Sequence, residues 1–292
     1  MVTFYRRLPR FDYLSPQTVD EALSLMFRYK GKAMPISGGT DLIPKLKRRA
    51  VKAPAYVIDL KQIPGLDYIK YDNAKGLSIG ALTTIHSVEA SLVVREKYNV
   101  LLQAAESMAS PQVRHRGTIA GNICNAVPSA DSAPALLVLE AKVKLVSRQG
   151  ERIISIGDFF TGPGETLVRN DEILTEIQIP ELPPAAKGRY LKLSPRQAMD
   201  LAVVGVAVLL IPENGICRDI RIALGAVSPT PIRVKNAEEA LRGKRLDTSL
   251  IEKAAETCMA ACVPISDHRA SAEYRREMVK VLVKQAISAC MS

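Results

Sequence analysis

From Arg189 onward the chain presents three strand patterns in a row, "RYLKLSP", "LAVVGVAVLL" and "ICRDIRIALGAVSPTPIR". Three helical patterns follow, "KNAEEALRGK", "TSLIEKAAETCMAACV" and "SAEYRREMVKVLVKQAISAC". Consecutive strands are satisfied by antiparallel pairing, and strands followed by helices read as an α+β module. The longest apolar run, "LAVVGVAVLLIP" from Leu201, is too short to cross a bilayer as a helix. Its β-branched content suits a buried strand. Upstream, "EILTEIQIPELPPAAKGRY" runs from a strand into a Pro-rich connection, which puts a boundary near Pro180 to Lys187. The expected division is residues 1–178, in subdomains of about 1–55 and 56–178, and an α+β domain over 187–292. A chain of 292 residues that is 47% hydrophobic has material for two such cores.

Ahead of that boundary the pattern alternates. "SPQTVDEALSLMFRY" opens a helix: Ser15 suits a cap, Pro16 a first turn, and Val19, Ala22, Leu23 and Met26 share a face. "KAMPISGGTDLIPKLKRR" passes from a strand into a glycine turn. "AYVIDLKQI" is a strand, and "YIKYDNAKGLSIGALTT" is a hairpin turning at Asp72 to Gly76. His86 to Val94, Leu101 to Met108 and Ala133 to Glu140 are helical, "AKVKLVSRQGERIISI" turns at Gln149-Gly150, and "DFFTGPGET" is a glycine-proline loop.

Two small-residue turns stand far apart in this stretch. In "SGGTDLIP", Gly38 and Gly39 follow a short strand, so backbone N–H groups can approach a ligand and form an anion nest. Thr40 adds a hydroxyl and Asp41 a capping carboxylate. A pyrophosphate suits such a turn. Neither G-x-G-x-x-G nor a P-loop is present. In "RGTIAGNICNAVPSAD", Gly117 and Gly121 flank Thr118, Asn122 and Asn125 each donate and accept, and Asp131 precedes an apolar helix, placed to accept from a polyol. Singly these are turn or cap residues. Together they suit one extended ligand with a diphosphate at its middle.

Charge and composition narrow the partners. Lys plus Arg outnumber Asp plus Glu by 40 to 30, a net +10. The densest run, "KLKRRAVK" from Lys45 to Lys52, reads first as a solvated face, next as a contact with a partner subunit, and last as a nucleic-acid contact, since no nucleic-acid motif accompanies it. The absence of tryptophan argues against a base-stacking or sugar-stacking surface. Five scattered cysteines and no apolar leader predict a reduced, cytoplasmic protein with no transmembrane segment.

"SGGTDLIP", "SPQVRHRGTIAGNICNAVPSADSAPALLVLEAKV" and "SPRQAMDLAVVGVAV" together closely resemble the FAD-binding medium subunit of the molybdenum hydroxylases, the family of xanthine dehydrogenases and aerobic carbon-monoxide dehydrogenases. The resemblance covers nearly the whole chain in the right order. It implies an α+β protein: two α/β FAD-binding subdomains of the vanillyl-alcohol-oxidase type, closed by a C-terminal domain of antiparallel sheet and helices. It implies that Ile36 belongs to the cofactor site and that Ser37, Gly38, Gly39, Thr40 and Asp41 wrap the FAD diphosphate, as do Thr118, Gly121 and Asn122. Asn125 and Asp131 would follow the ribityl chain and flavin. Ile173 or Leu174, in "DEILTEIQIP", would pack on the isoalloxazine, and Lys192, in "YLKLSP", would stand near the flavin edge, where a cation favours the anionic reduced form. The second loop departs from the usual pair of glycines: Ala120 stands in place of one, and alanine tolerates positive φ poorly, so a small local adjustment is expected. His115 stands where the family has a small or neutral residue, and is read as an exposed loop histidine.

The chain shows no catalytic triad, no zinc spacing among His86, His115 and His268, and a Cys258/Cys262 pair read as core. The resemblance therefore implies that molybdopterin and [2Fe-2S] clusters sit on large and small partner subunits, in an expected dimer of heterotrimers. Electrons would pass to this FAD and on to NAD⁺, a quinone or O₂. The alternatives are a stand-alone flavin-dependent reductase of related fold, which needs a proton donor not evident here, and a basic non-catalytic interaction module, whose binding would fall with salt.

Overall fold

The structure, a computed structural model, describes residues 7–196 and 198–291. The first unit runs β1 (Asp12–Leu14), α1 (Val19–Arg28), β2 (Ala33–Ile36), α2 (Leu42–Arg48) and β3 (Tyr56–Asp59), with the strands parallel in the order β1-β3-β2. Helix α1 begins at Thr18, three residues later than the Ser15-Pro16 signal: the Thr18 hydroxyl accepts from the Glu21 N–H at 3.1 Å, and the Glu21 carboxylate accepts from the Gln17 N–H at 2.8 Å. Threonine followed three residues on by glutamate is the stronger start, because it satisfies two orphan donors at once. Ala22, Leu23 and Met26 bury against Ile58, Leu60 and Ile63. Helix α2 was not anticipated. Pro44 lies in its first turn, where a missing N–H costs nothing, and Leu46 anchors it to the core.

The second unit runs β4 (Ile69–Asp72), β5 (Gly76–Gly80), α3 (Ile85–Ala90), α4 (Leu92–Lys97), α5 (Asn99–Glu106), α6 (Pro111–Arg114), α7 (Ile119–Asn125), α8 (Ser132–Val138), β6 (Lys142–Ser147), β7 (Gly150–Ser155), α9 (Ile156–Phe159), β8 (Phe160–Gly162), β9 (Glu165–Thr166) and β10 (Ile173–Ile179). Its main sheet is antiparallel in the order β4-β5-β10-β6-β7, so the last strand in sequence enters between two earlier pairs. The stretch read as one helix over His86–Val94 is two, split at Ser91, whose extended backbone starts α4. "DFFTGPGET" is α9 and the β8-β9 ribbon rather than plain loop.

The third unit holds β11 (Lys187–Leu193), β12 (Val204–Glu213), β13 (Ile216–Gly225), β14 (Ile232–Arg233), α10 (Lys235–Leu241), α11 (Thr248–Ala260) and α12 (Ala272–Met291). Its sheet is antiparallel in sequence order. The continuous apolar run of β12 has a physical reason: the sheet is covered on both faces. Val204, Val206, Val208 and Leu210 face α10–α12, while Ala207 and Leu209 face the second unit. That second face is built of small residues. A Cβ on Gly225 would come within 2.8 Å of Pro134 in α8, and one on Gly205 within 3.0 Å of the Tyr190 hydroxyl. The sheet thus seats closely against α8 and brings β11 beside the loop preceding that helix.

Candidate functional site

Strand β2 ends at Ile36, and the chain turns through Ser37–Asp41 into α2. The two glycines of this turn have different reasons. Gly39 adopts φ +74°, the left-handed region. Gly38 has no room for a side chain: a Cβ would sit 1.9 Å from the Arg116 carbonyl oxygen of the second loop. The two loops interlock backbone against backbone, and Ser37 Oγ and Thr118 Oγ1 share a hydrogen bond of 3.1 Å across the junction.

The second loop is a capped helix. Thr118 Oγ1 accepts from the Gly121 N–H at 2.9 Å and starts α7, which aligns Thr118, Gly121, Asn122 and Asn125 on one face. Ala120 lies in the first turn of α7, buried and outside the residues of positive φ. A helical position suits alanine, so Ala120 meets no positive-φ penalty here. His115 is exposed as expected, and its ring stacks on His86 at 3.8 Å.

A cleft of about 700 Å³ opens where the three units meet, a size ordinary for a cofactor site. Ile36, Ser37, Gly38, Gly39, Thr40, Asp41, Thr118, Gly121, Asn122, Asn125 and Asp131 all line it. The Gly39, Thr40 and Asp41 N–H groups have no acceptor among the described residues, and Asp41, at the N-cap of α2, makes no capping hydrogen bond, contrary to the expected capping role. Its carboxylate is left facing the cleft. Open N–H donors beside a left-handed glycine suit a diphosphate, and a free carboxylate suits a hydroxyl. These residues fit FAD.

Asp131 stands at the floor, bound from the third unit. Tyr190 Oη donates to its Oδ1 at 2.8 Å, and Lys192 Nζ donates to its Oδ2 at 2.8 Å and to the Ser107 carbonyl at 3.0 Å. Burial pushes the Asp131 carboxyl above its ordinary range, and Lys192 and Tyr190 pull it partly back. Burial also drives the Tyr190 phenol well up, with Asp131 adding to the rise.

Three expected residues are not brought to the cleft. Ile173 and Leu174 are adjacent on β10 and point to opposite faces, Ile173 into the core of the first unit and Leu174 into that of the second. Lys192 reaches the site only through Asp131, which neutralises it. Lys45 and Arg48, in the run read first as a solvated face, line the cleft from α2, and so do residues given no role in the site: Met108 and Ala109 before α6, and Met199, Asp200 and Leu201 before β12. The Met199 N–H donates to the Ala109 carbonyl at 3.1 Å, and both residues take positive φ. The spacing of Asp41, Lys45 and Arg48 is the signal in the sequence for α2.

Residues 9–182 match the family described as the FAD binding domain in molybdopterin dehydrogenase, and residues 189–290 the CO dehydrogenase flavoprotein C-terminal domain. Among curated relatives, the glyceraldehyde dehydrogenase medium chain of Sulfolobus acidocaldarius is 36% identical, over 95% of this chain and 97% of its own. The xanthine dehydrogenase FAD-binding subunit of Escherichia coli O157:H7 is 32% identical over 95% and 96%. Among solved structures, carbon monoxide dehydrogenase from Hydrogenophaga pseudoflava, in a form lacking the Mo-pyranopterin moiety, superposes with TM-score 0.95 at 34% identity, over 98% of both chains. The chain belongs to the FAD-binding medium subunits of the molybdenum hydroxylases. It is an oxidoreductase component that carries FAD, with the mixed α+β fold of that family.

Proposed function

We propose that this chain accepts electrons from the [2Fe-2S] clusters of a small partner subunit and passes them through its FAD to NAD⁺, a quinone or O₂, while a large molybdopterin subunit oxidises the substrate. The observation that carries the reading is the cleft itself, where two glycine turns interlock and the first leaves open N–H donors beside Asp41. When bound, the flavin supplies the exchange between single-electron donors and a two-electron acceptor. The chain's residues position it. Ser37–Asp41 and Thr118–Asn122 hold the diphosphate, and Asn125 and Asp131 take the polyol hydroxyls. Met108, Met199 and Leu201 would offer the bound cofactor apolar contact along the cleft. Lys192 acts by fixing Asp131 rather than as a free cation.

The relatives are named for glyceraldehyde, carbon monoxide and xanthine, so the substrate is read on the large subunit and not on this chain. We place the assembly, a dimer of heterotrimers, in the cytoplasm; no helix among the described residues is long and apolar enough to cross a membrane. The test is an absorption spectrum followed by anaerobic NADH. Flavin bands bleached by NADH make NAD⁺ the acceptor, bands untouched by NADH leave a quinone or O₂, and a chain that holds no flavin after reconstitution with FAD overturns the reading. Gly39→Val, which puts a branched side chain at a left-handed position of the diphosphate turn, is expected to lower flavin content well below wild type at equal folded protein.

A further inference from the structure

The cleft carries three carboxylates and few free cations. Asp131 is neutralised by Lys192, and Asp200 pairs with Arg196 at 3.2 Å on the rim. What remains lies on one face of α2: Asp41, then Lys45 four residues on and Arg48 three further. Neither Lys45 nor Arg48 forms an ion pair among the described residues. Lys45 Nζ instead donates to the Asn125 side-chain carbonyl, spanning the cleft from the first loop's helix to the second's. Arg49, next in sequence, is turned away and donates to the Leu46 and Arg7 carbonyls. The face therefore sums to one net positive charge, beside N–H groups with no acceptor.

We propose that Lys45 and Arg48 clamp the diphosphate of the dinucleotide, Lys45 exchanging the neutral Asn125 amide for a phosphate oxygen when the cofactor enters. The proposal rests on the FAD reading and adds to it two side chains that a backbone cradle does not require. An ammonium hydrogen-bonded to a neutral amide gains by moving to an anionic acceptor, because a full negative charge attracts it more strongly than the amide dipole does. Asp41 opposes the anion, and the two cations outweigh it. Lys45 thus has two roles in turn: it ties the two loops together before the cofactor arrives, and it neutralises phosphate afterwards.

The test uses the full chain stripped of flavin, titrated with FAD, ADP and riboflavin at low and high salt, for wild type, Lys45→Met, Arg48→Met and Lys45→Arg. Loss of a hydrogen bond to a charged group weakens FAD binding by about tenfold or more for Lys45→Met at low salt. Arg48→Met costs about threefold, as a more exposed cation does. ADP follows FAD, riboflavin is unchanged, Lys45→Arg restores affinity, and the gap narrows severalfold as the Debye length shrinks to about 3 Å near 1 M salt. Equal losses for riboflavin, or a loss indifferent to salt, make Lys45 a structural tie and overturn the clamp. Unchanged FAD binding, with weaker NADH binding to the flavin-loaded chain, assigns the pair to a separate nucleotide and also overturns it. If wild type itself takes no FAD, the parent reading fails first, and that outcome is visible before any variant is measured.

Discussion

Asp131 at the cleft and Asp267 in the loop before α12 are built from the same parts, and their surroundings move them in opposite directions. Each draws hydrogen-bond donors from other positions: the Tyr190 phenol and the Lys192 ammonium for the first, the Arg269 and Arg275 guanidinium groups for the second. Asp131 is desolvated, and burial outweighs its partners, so its carboxyl titrates high. Asp267 stays partly in water and accepts a paired guanidinium from Arg269 at 2.6 and 3.0 Å, which holds it far below its ordinary range. Planar guanidinium forks stabilise a carboxylate where a point ammonium in a dry site does not offset desolvation. The contrast separates a charge held in place for the cleft from one that secures the fold.

The largest effect expected is at Arg275, the bulkiest of the fully buried side chains, whose guanidinium bonds Asp267 at 2.9 Å and the Val203 and Ala226 carbonyls at 2.7 and 3.2 Å. Arg275→Met strands the Val203 and Ala226 carbonyls and leaves Asp267 to Arg269 alone, and thermal or urea unfolding should show a loss of about 3–5 kcal/mol. Asp131→Asn comes next. It leaves the Lys192 ammonium, 9% exposed, with an amide in place of its carboxylate. A loss of about 2–4 kcal/mol is expected, together with flavin content, and pairing it with Lys192→Met should recover much of the stability while leaving flavin low. Recovery of both would make Asp131 a structural group and erase the comparison.

The smallest effect is in pH dependence, and its sign differs between the two. Asp267 is depressed in the folded state, so its contribution is present above its unfolded value and lost as pH falls toward the folded one. Asp267→Asn should flatten the acid limb of a stability–pH curve. Asp131 is raised, so its contribution is present below its unfolded value and lost as pH climbs through the folded one. Asp131→Asn should flatten a decline on the side above the ordinary carboxylate value. Two variants that change the same limb would contradict the assigned environments.

The third unit was readable in order and element type, because its strand and helix periods are long and unbroken. The glycine turns were readable too, although Gly38 exists for the Arg116 carbonyl, a contact between residues 78 positions apart that no local pattern encodes. Helix α2 was hidden by Gly39 before it and Pro44 within it, and with it the fact that Lys45 and Arg48 face the cleft. The likeness pointed to Ile173 or Leu174 for the ring, and no local pattern shows that on β10 Ile173 packs into one core and Leu174 into another. Lys192 was legible as a cation near the site, while its neutralisation required knowing that β11 lies beside Asp131.

The cleft borrows one wall from the end of the chain. Ala109 and Asp131 are made early, and their partners Met199 and Lys192 late, so a ribosome exposes an unfinished site until the last sheet docks. A chain truncated before β11 would lack the strand and loop that close the pocket, and one whose small-residue face fails to seat on α8 would misplace them. Flavin content then reports on the seating of the last unit, since the cleft has its full lining only when Met199, Asp200 and Leu201 are in place and Lys192 holds Asp131.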